Sequence, residues 1–136
     1  MPAKDATVAV LTALRTAMLA DATIQGVTTQ IVDTPEANRA PPFIVIGQSV
    51  SETFDTSETD GQDIAIDVAI YTRGPTTTGS RTVARRLREI FHRQPLTVTG
   101  HNVILVEVLT TIGPYQTDEE QLLQSIVTIR VLIGHG

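Results

Sequence analysis

Three histidines, a row of arginines, two aspartates in an alternating strand pattern and one Gly-Ser pair are the side chains here that could do chemistry. His92 follows the arginine run, His101 sits in the turn-like stretch Thr99-Gly-His-Asn102, and His135 is one residue from the last. None of the three stands in a zinc-ligand pattern. Asp63 and Asp67 fall on one face of a strand pattern. Four residues of strand put their Cα atoms roughly 13 Å apart, too far for a tight acid–base pair. Ser80 follows Gly79, but Thr78-Gly-Ser-Arg-Thr82 is no nucleophile elbow and has no base nearby in sequence. No phosphate-cradling P-loop or Gly-x-Gly-x-x-Gly occurs. With no cysteine there is no disulfide or thiolate chemistry either. These residues predict a chain with no active site, no metal and no cofactor.

The arginines point to contact instead. Arg81, Arg85 and Arg88 recur at i, i+4 and i+7, with Arg86 and Arg93 flanking. A guanidinium row on a rigid helix suits bidentate contact with carboxylates or phosphates. A net charge of −5 and the lack of aromatic side chains among the arginines disfavour nucleic acid. Charge is also divided along the chain. Between Asp33 and Asp67 there are eight carboxylates and one cation, Arg39; between Arg73 and Arg93 there are six arginines and one carboxylate, Glu89. Such a division favours contact between unlike surfaces of neighbouring copies, because complementary charge fixes register. The plainer alternative is two solvated faces. The candidate interface residues are Glu52, Phe54, Asp55, Glu58 and Asp60 in the acidic stretch, with Arg81, Arg85 and Arg88 in the basic one.

The elements that must position them follow from periodicity. Asp5 or Thr7 can cap a helix to about Ala20, with Val8, Leu11, Leu14 and Met18 on one stripe. Gly26 ends it, and Thr28 to Val32 reads as a short strand. Pro41 and Pro42 force an extended lead into Phe43–Ser51. From Ile64 to Ile70 alternation is strict: Ile64, Ile66, Val68 and Ile70 on one side, Asp63, Ala65, Asp67 and Ala69 on the other. That is a strand with one face on a core, spanning about Gln62–Thr72. Between these strands Glu52–Gly61 reads as a flexible acidic excursion, with Phe54 its one apolar residue and likewise its candidate anchor. Ser80 is placed to cap a helix to Arg93, stopped by Pro95, whose stripe Val83, Leu87, Ile90 and Phe91 should pack on the sheet. Leu96–Val98 is an optional short strand. Val103–Thr111 and Leu122–Ile133 close the chain. The expected fold is α+β, one domain over residues 1–136. It has a mostly antiparallel sheet with two helices packed on it, in the order α-β-β-β-α-(β)-β-β.

Composition bounds the same picture. A chain of 136 residues with 41% apolar content can bury about two thirds of its unfolded surface in a single core. Aromatics make up 4%, so aliphatic side chains must fill that core. No run of about 20 apolar residues is present to cross a bilayer, and the N-terminus lacks a signal-peptide pattern.

The chain resembles the tail-completion proteins of long-tailed phages, also called tail terminators or head-to-tail joining proteins. The resemblance is carried by Val10-Leu-Thr-Ala-Leu14, Pro42-Phe-Ile-Val-Ile-Gly47 and Asp60-Gly-Gln with the alternating strand to Tyr71. It continues in Arg81-Thr-Val-Ala-Arg-Arg-Leu-Arg-Glu-Ile-Phe91, Leu96-Thr-Val-Thr-Gly-His-Asn102 and Ser125-Ile-Val-Thr-Ile-Arg-Val-Leu-Ile133. Tyr71 stands where the family commonly has Trp. The resemblance implies a structural virion protein, made in the host cytoplasm and found at the head-proximal end of the tail. There it would form a homo-oligomeric ring, usually a hexamer, that caps the tail tube, ends its polymerisation and joins the head connector protein. DNA would pass through the lumen without sequence-specific binding. Relatives occur in prophages and gene transfer agents. The alternative reading is a small-molecule-binding or regulatory α+β domain, which needs a concave pocket with convergent polar groups.

Overall fold

A computed structural model describes residues 6–28, 30–32, 40–55, 60–74, 77–117 and 122–134, with backbone alone at 48, 49, 52–55 and 60. Three helices, α1 (Thr7–Leu19), α2 (Ala22–Gln25) and α3 (Thr78–Phe91), accompany five strands. The strands are β1 (Ile31–Val32), β2 (Phe43–Asp55), β3 (Asp60–Arg73), β4 (Asn102–Gln116) and β5 (Leu122–Gly134). They form one sheet in the order β1-β2-β3-β5-β4. Only the β1–β2 pair is parallel; the other pairs are antiparallel. The expected α+β fold and its element order are what the chain adopts, with short α2 added between α1 and β1.

The core is a single aliphatic layer between the helices and one sheet face. Ile64, Ile66, Val68 and Ile70 of β3 alternate into it, as do Val127, Ile129, Val131 and Ile133 of β5, all at 1% exposure or less. β-Branched residues at every second position suit a pleated, packed surface, so propensity and burial agree here. From the helices come Val10, Leu14 and Met18 of α1, and Val83, Leu87 and Phe91 of α3. The α1 stripe therefore differs from the expected one: Val8 is 75% exposed and Val10 takes its place in the core.

Thr7 and Ser80 lie inside their helices and make tertiary contacts. α1 begins at Thr7 without any side-chain cap from its own N-terminal position, Ala6; Asp5 lies outside the described residues. The Ala6 N–H instead donates to Gln62 Oε1 of β3 at 2.9 Å, and Gln62 Nε2 donates to Thr7 Oγ1 and Ser51 Oγ. α3 starts at Thr78, so Ser80 is not a cap. It is fully buried, with its Oγ 2.6 Å from Ser125 Oγ on β5. A buried hydroxyl needs a partner, and here each serine supplies the other's.

Strand bounds also move outward. Glu52–Gly61 is not an excursion over its whole length, because β2 runs to Asp55 and β3 starts at Asp60. The ladder pairs Glu52 with Asp63, Phe54 with Gly61 and Asp55 with Asp60. β4 likewise continues past Thr111 to Gln116, through Gly113 at φ +97°. A Cβ there would lie 2.6 Å from the Gln124 carbonyl oxygen, so the close strand approach requires glycine. Among the described residues Leu96–Val98 forms no strand, although Val98 is buried in the core. α3 ends at Phe91, ahead of the expected Arg93, with His92 already extended.

Candidate functional site

The candidate residues occupy two separate places. Arg81, Arg85 and Arg88 lie together on the outward side of α3, opposite Ser80, Val83, Ala84, Leu87 and Phe91, which are buried. The row is held upright by its own helix. Arg81 Nε donates to Thr77 Oγ1 at 3.0 Å, and Arg85 Nε lies 3.3 Å from Glu89 Oε1. These are exposed contacts one turn apart and contribute a few tenths of a kcal/mol each. Their effect is to space the guanidinium groups while leaving them to solvent.

The acidic candidates belong to the end of the β2–β3 hairpin. The backbones of Glu52, Phe54, Asp55 and Asp60 are fixed by the ladder, and Glu58 lies outside the described residues. α3 packs on β3, β5 and β4, and α1 on β2 and β1.

Arg86, which flanks the row, has a different role. Its Nε and Nη2 contact Asp21 Oδ1 at 2.9 and 2.8 Å, and its Nη1 reaches Glu89 Oε2 at 3.0 Å. Asp21 also accepts from the Ile24 N–H through Oδ2, capping α2. One carboxylate thus ties α2 to α3. The Arg86 hydrogen bonds are the main reason its carboxyl is held below the ordinary aspartate range; the Ile24 N–H adds to this, and burial opposes it.

Asp63 and Asp67, too far apart in the strand for an acid–base pair, are engaged across the strands. Arg130 of β5 grips Asp63 through Nε and Nη2 at 2.8–3.1 Å, and Thr128 Oγ1 donates to Asp67 Oδ1 at 2.8 Å. Glu107 of β4 lies 3.7 Å from Arg130 on the same helix-free face. Further along this face Tyr71 stacks on Phe43 at a centroid distance of 4.8 Å. Gln124 joins the Tyr71 and Tyr115 hydroxyls: it donates to the first at 2.9 Å and accepts from the second at 2.7 Å. Burial, with Tyr115 adding to it, pushes the Tyr71 phenol up. This polar lattice was not evident in the sequence, because Gln124 and Tyr71 are 53 residues apart.

For chemistry the arrangement offers little. Among the described residues no group of three His, Cys, Asp or Glu side chains could hold a metal. His92 Nδ1 accepts the Val108 N–H at 3.0 Å, which commits it to the backbone of β4; His135 lies outside the described residues. A cleft beside α1 is lined by Val8, Leu11, Thr12, Arg15 and Ile31, and Arg15 Nε is occupied by the Ile31 carbonyl at 2.9 Å. Convergent polar groups, which small-molecule recognition needs, are not what this cleft presents. No helix among the described residues is long and apolar enough to cross a membrane.

Comparison with known proteins gives the class. No curated protein matches the sequence. A chain in a solved structure described as "Virion of native gene transfer agent (GTA) particle" superposes with a TM-score of 0.85 at 12% identity, covering 97% of this chain and 99% of that one. At such identity the likeness establishes a shared fold. The sequence itself matches the family described as "Tail completion protein gp17" over residues 12–134. That match takes in every element except the start of α1, and with it the chain belongs to the tail completion protein gp17 family, structural proteins of the virion tail.

Proposed function

We propose that the protein forms a ring, a hexamer, that caps the head-proximal end of the tail tube, ends tube polymerisation and makes the joint to the head connector protein. It has no catalytic step in this role and no cofactor. The observation that carries the reading is the family match across nearly the whole chain. The geometry is compatible with it: the exposed arginine row lies on α3, and the stretch whose sequence is acidic closes the β2–β3 hairpin, a different element of the subunit. A ring requires two different complementary patches per subunit, closed by the rotation between them. DNA in the lumen would meet the helix-free sheet face. There Asp63, Asp67 and Glu107 are engaged with Arg130 and Thr128, an arrangement suited to passage rather than to gripping phosphate.

Electron microscopy and native mass of the purified protein, alone and with tail tube protein, test the ring directly. Persistent monomer in both samples would sink it. Changing Arg81, Arg85 and Arg88 together to Glu should leave the subunit folded and yet weaken ring formation or lengthen tails, since misplaced like charges cost several kcal/mol at an interface. Normal rings and normal tail lengths would make the row a solvated helix face. Phe54 is proposed to anchor the hairpin end in a neighbouring protein, so amides of Glu52–Gly61 should gain exchange protection on assembly. Equal protection before and after would remove that anchor.

A further inference from the structure

The two edges of the sheet are each closed over one part and open over another. On β4, Val106 and Val108 already spend their outward backbone groups. The Arg93 N–H donates to the Val106 carbonyl at 2.7 Å, and the Val108 N–H is taken by His92 Nδ1. Past Val108 the strand runs to Gln116 with β5 as its one partner strand among the described residues, and it leaves Leu109, Ile112 and Tyr115 49%, 54% and 41% exposed. On the other edge β1 covers β2, among the described residues, at Ile44 and Val45, and Arg15 caps the Ile31 carbonyl on the far side of β1. From Ile46 to Asp55 no strand among the described residues lies outside β2, where Val50 is 62% exposed. Unpaired strand edges invite another chain, and folds usually cover or blunt them. Among the described residues the covers stop short at opposite ends of opposite edges.

We infer that these two open segments pair with each other between copies, Leu109–Ile112 of one subunit lying antiparallel to Val50–Thr53 of the next. Three features of the fold support this occupant. First, β2, β3, β5 and β4 alternate in direction, so a neighbour's β2 placed beyond β4 continues the antiparallel order. Second, the faces agree. The register runs from Ile112 through Ile126 and Ala69 to Val45, whereas Val50 stands opposite Ala65. Bringing Ile112 level with a neighbour's Val50 therefore slides the copy from Ala69 to Ala65 on β3, about 13 Å. Four residues is an even shift, so the helix layers of both copies stay on one side, whereas an odd shift would reverse them. Third, the contact is heterologous and staggered, which is what a sheet needs to curl round and close. Gly113 and Pro114 limit its length, because proline has no N–H to donate. The exposed Val50 and Ile112 side chains would then meet on the helix-free face, and Leu109–Ile112 brings no carboxylate against Glu52.

The inference rests on the ring reading, and cysteine cross-linking separates the two. The chain has no cysteine of its own. Val50→Cys, Ile112→Cys and the double variant are concentrated, oxidised and run without reductant, with native mass measured in parallel. Both positions are more than half exposed, so melting should match that of the parent. The expected result is a ladder at multiples of the subunit mass from the double variant, lost on reduction, with single variants left uncross-linked. Dimers from Ile112→Cys alone would mean that β4 meets β4, and would overturn the assignment. So would the absence of a ladder from the double variant. A ring-sized native mass without the ladder would leave the ring standing on another surface, while persistent monomer with tail tube protein would count against the ring itself.

Discussion

On the helix-facing side of β3, Ile64, Ile66, Val68 and Ile70 are sealed from water; on the other side Asp63, Ala65, Asp67, Ala69 and Tyr71 remain half-buried. The same strand thus serves two surfaces with different chemistry. The helix-facing one gains from removing aliphatic area from water, a term of about 25 cal/mol per Å² that tolerates no unpaired polar atom. The helix-free one is held by cross-strand pairs, Asp63 with Arg130, Asp67 with Thr128 and Tyr71 with Gln124, each of modest strength. Stability is therefore concentrated on the helix-facing side.

The largest expected effect breaks this contrast most directly. Val68→Asp puts a carboxylate at a fully buried position in the middle of the sheet and should cost several kcal/mol, enough to abolish cooperative unfolding or prevent folding. Ala69→Asp, one residue on, faces the other way and should cost about 1 kcal/mol or less. Similar thermal melts for the two variants would dissolve the distinction between the faces.

Next comes the clamp of the helix layer. Asp21→Ala removes the α2 cap and the Arg86 contact together and should cost about 2 kcal/mol by chemical denaturation. Because the folded carboxyl titrates below the ordinary aspartate value of 3.8, its contribution is complete above that pH and is lost as pH falls through the lowered folded value. The stability gap between parent and variant should accordingly narrow in acid. A gap that stays constant from pH 6 to pH 2 would show that Asp21 acts through packing alone.

On the helix-free face the effects shrink. Arg130→Ala loses the paired contact with Asp63, but both side chains are a quarter or more exposed, so about 0.5–1 kcal/mol is expected. Added salt should reduce that difference. Smallest of all, Arg81, Arg85 and Arg88 changed singly to Glu should each shift stability by less than about 0.5 kcal/mol, because all three side chains are exposed. A substantial loss from any one of them would place it in the fold rather than at a surface for partners.

Local rules made much of this legible. The period-two run Ile64–Ile70 determined a half-covered strand, and the stripe Val83, Leu87 and Phe91 determined which side of α3 turns inward and so which side carries the arginines. Both follow from the geometry of one element, where neighbours in sequence decide which way a side chain points. The motifs that carried the family resemblance are of the same local kind. Other features were decided only when distant segments met. Gln62 caps a helix that starts 55 residues before it, and Ser80 finds Ser125 rather than a free N-terminus. The acidic stretch from Glu52 pairs through Asp55 because β3 was there to receive it, even though its composition reads as loop. Open edges are likewise invisible in sequence: Leu109 and Ile112 resemble any strand residues until the sheet order leaves β4 outermost and the cover from His92 and Arg93 ends at Val108. Sequence by itself determined the faces, since those are set residue by residue. Tertiary structure alone decided the caps, the length of the hairpins and the edges, since each depends on which backbone groups another segment has already satisfied.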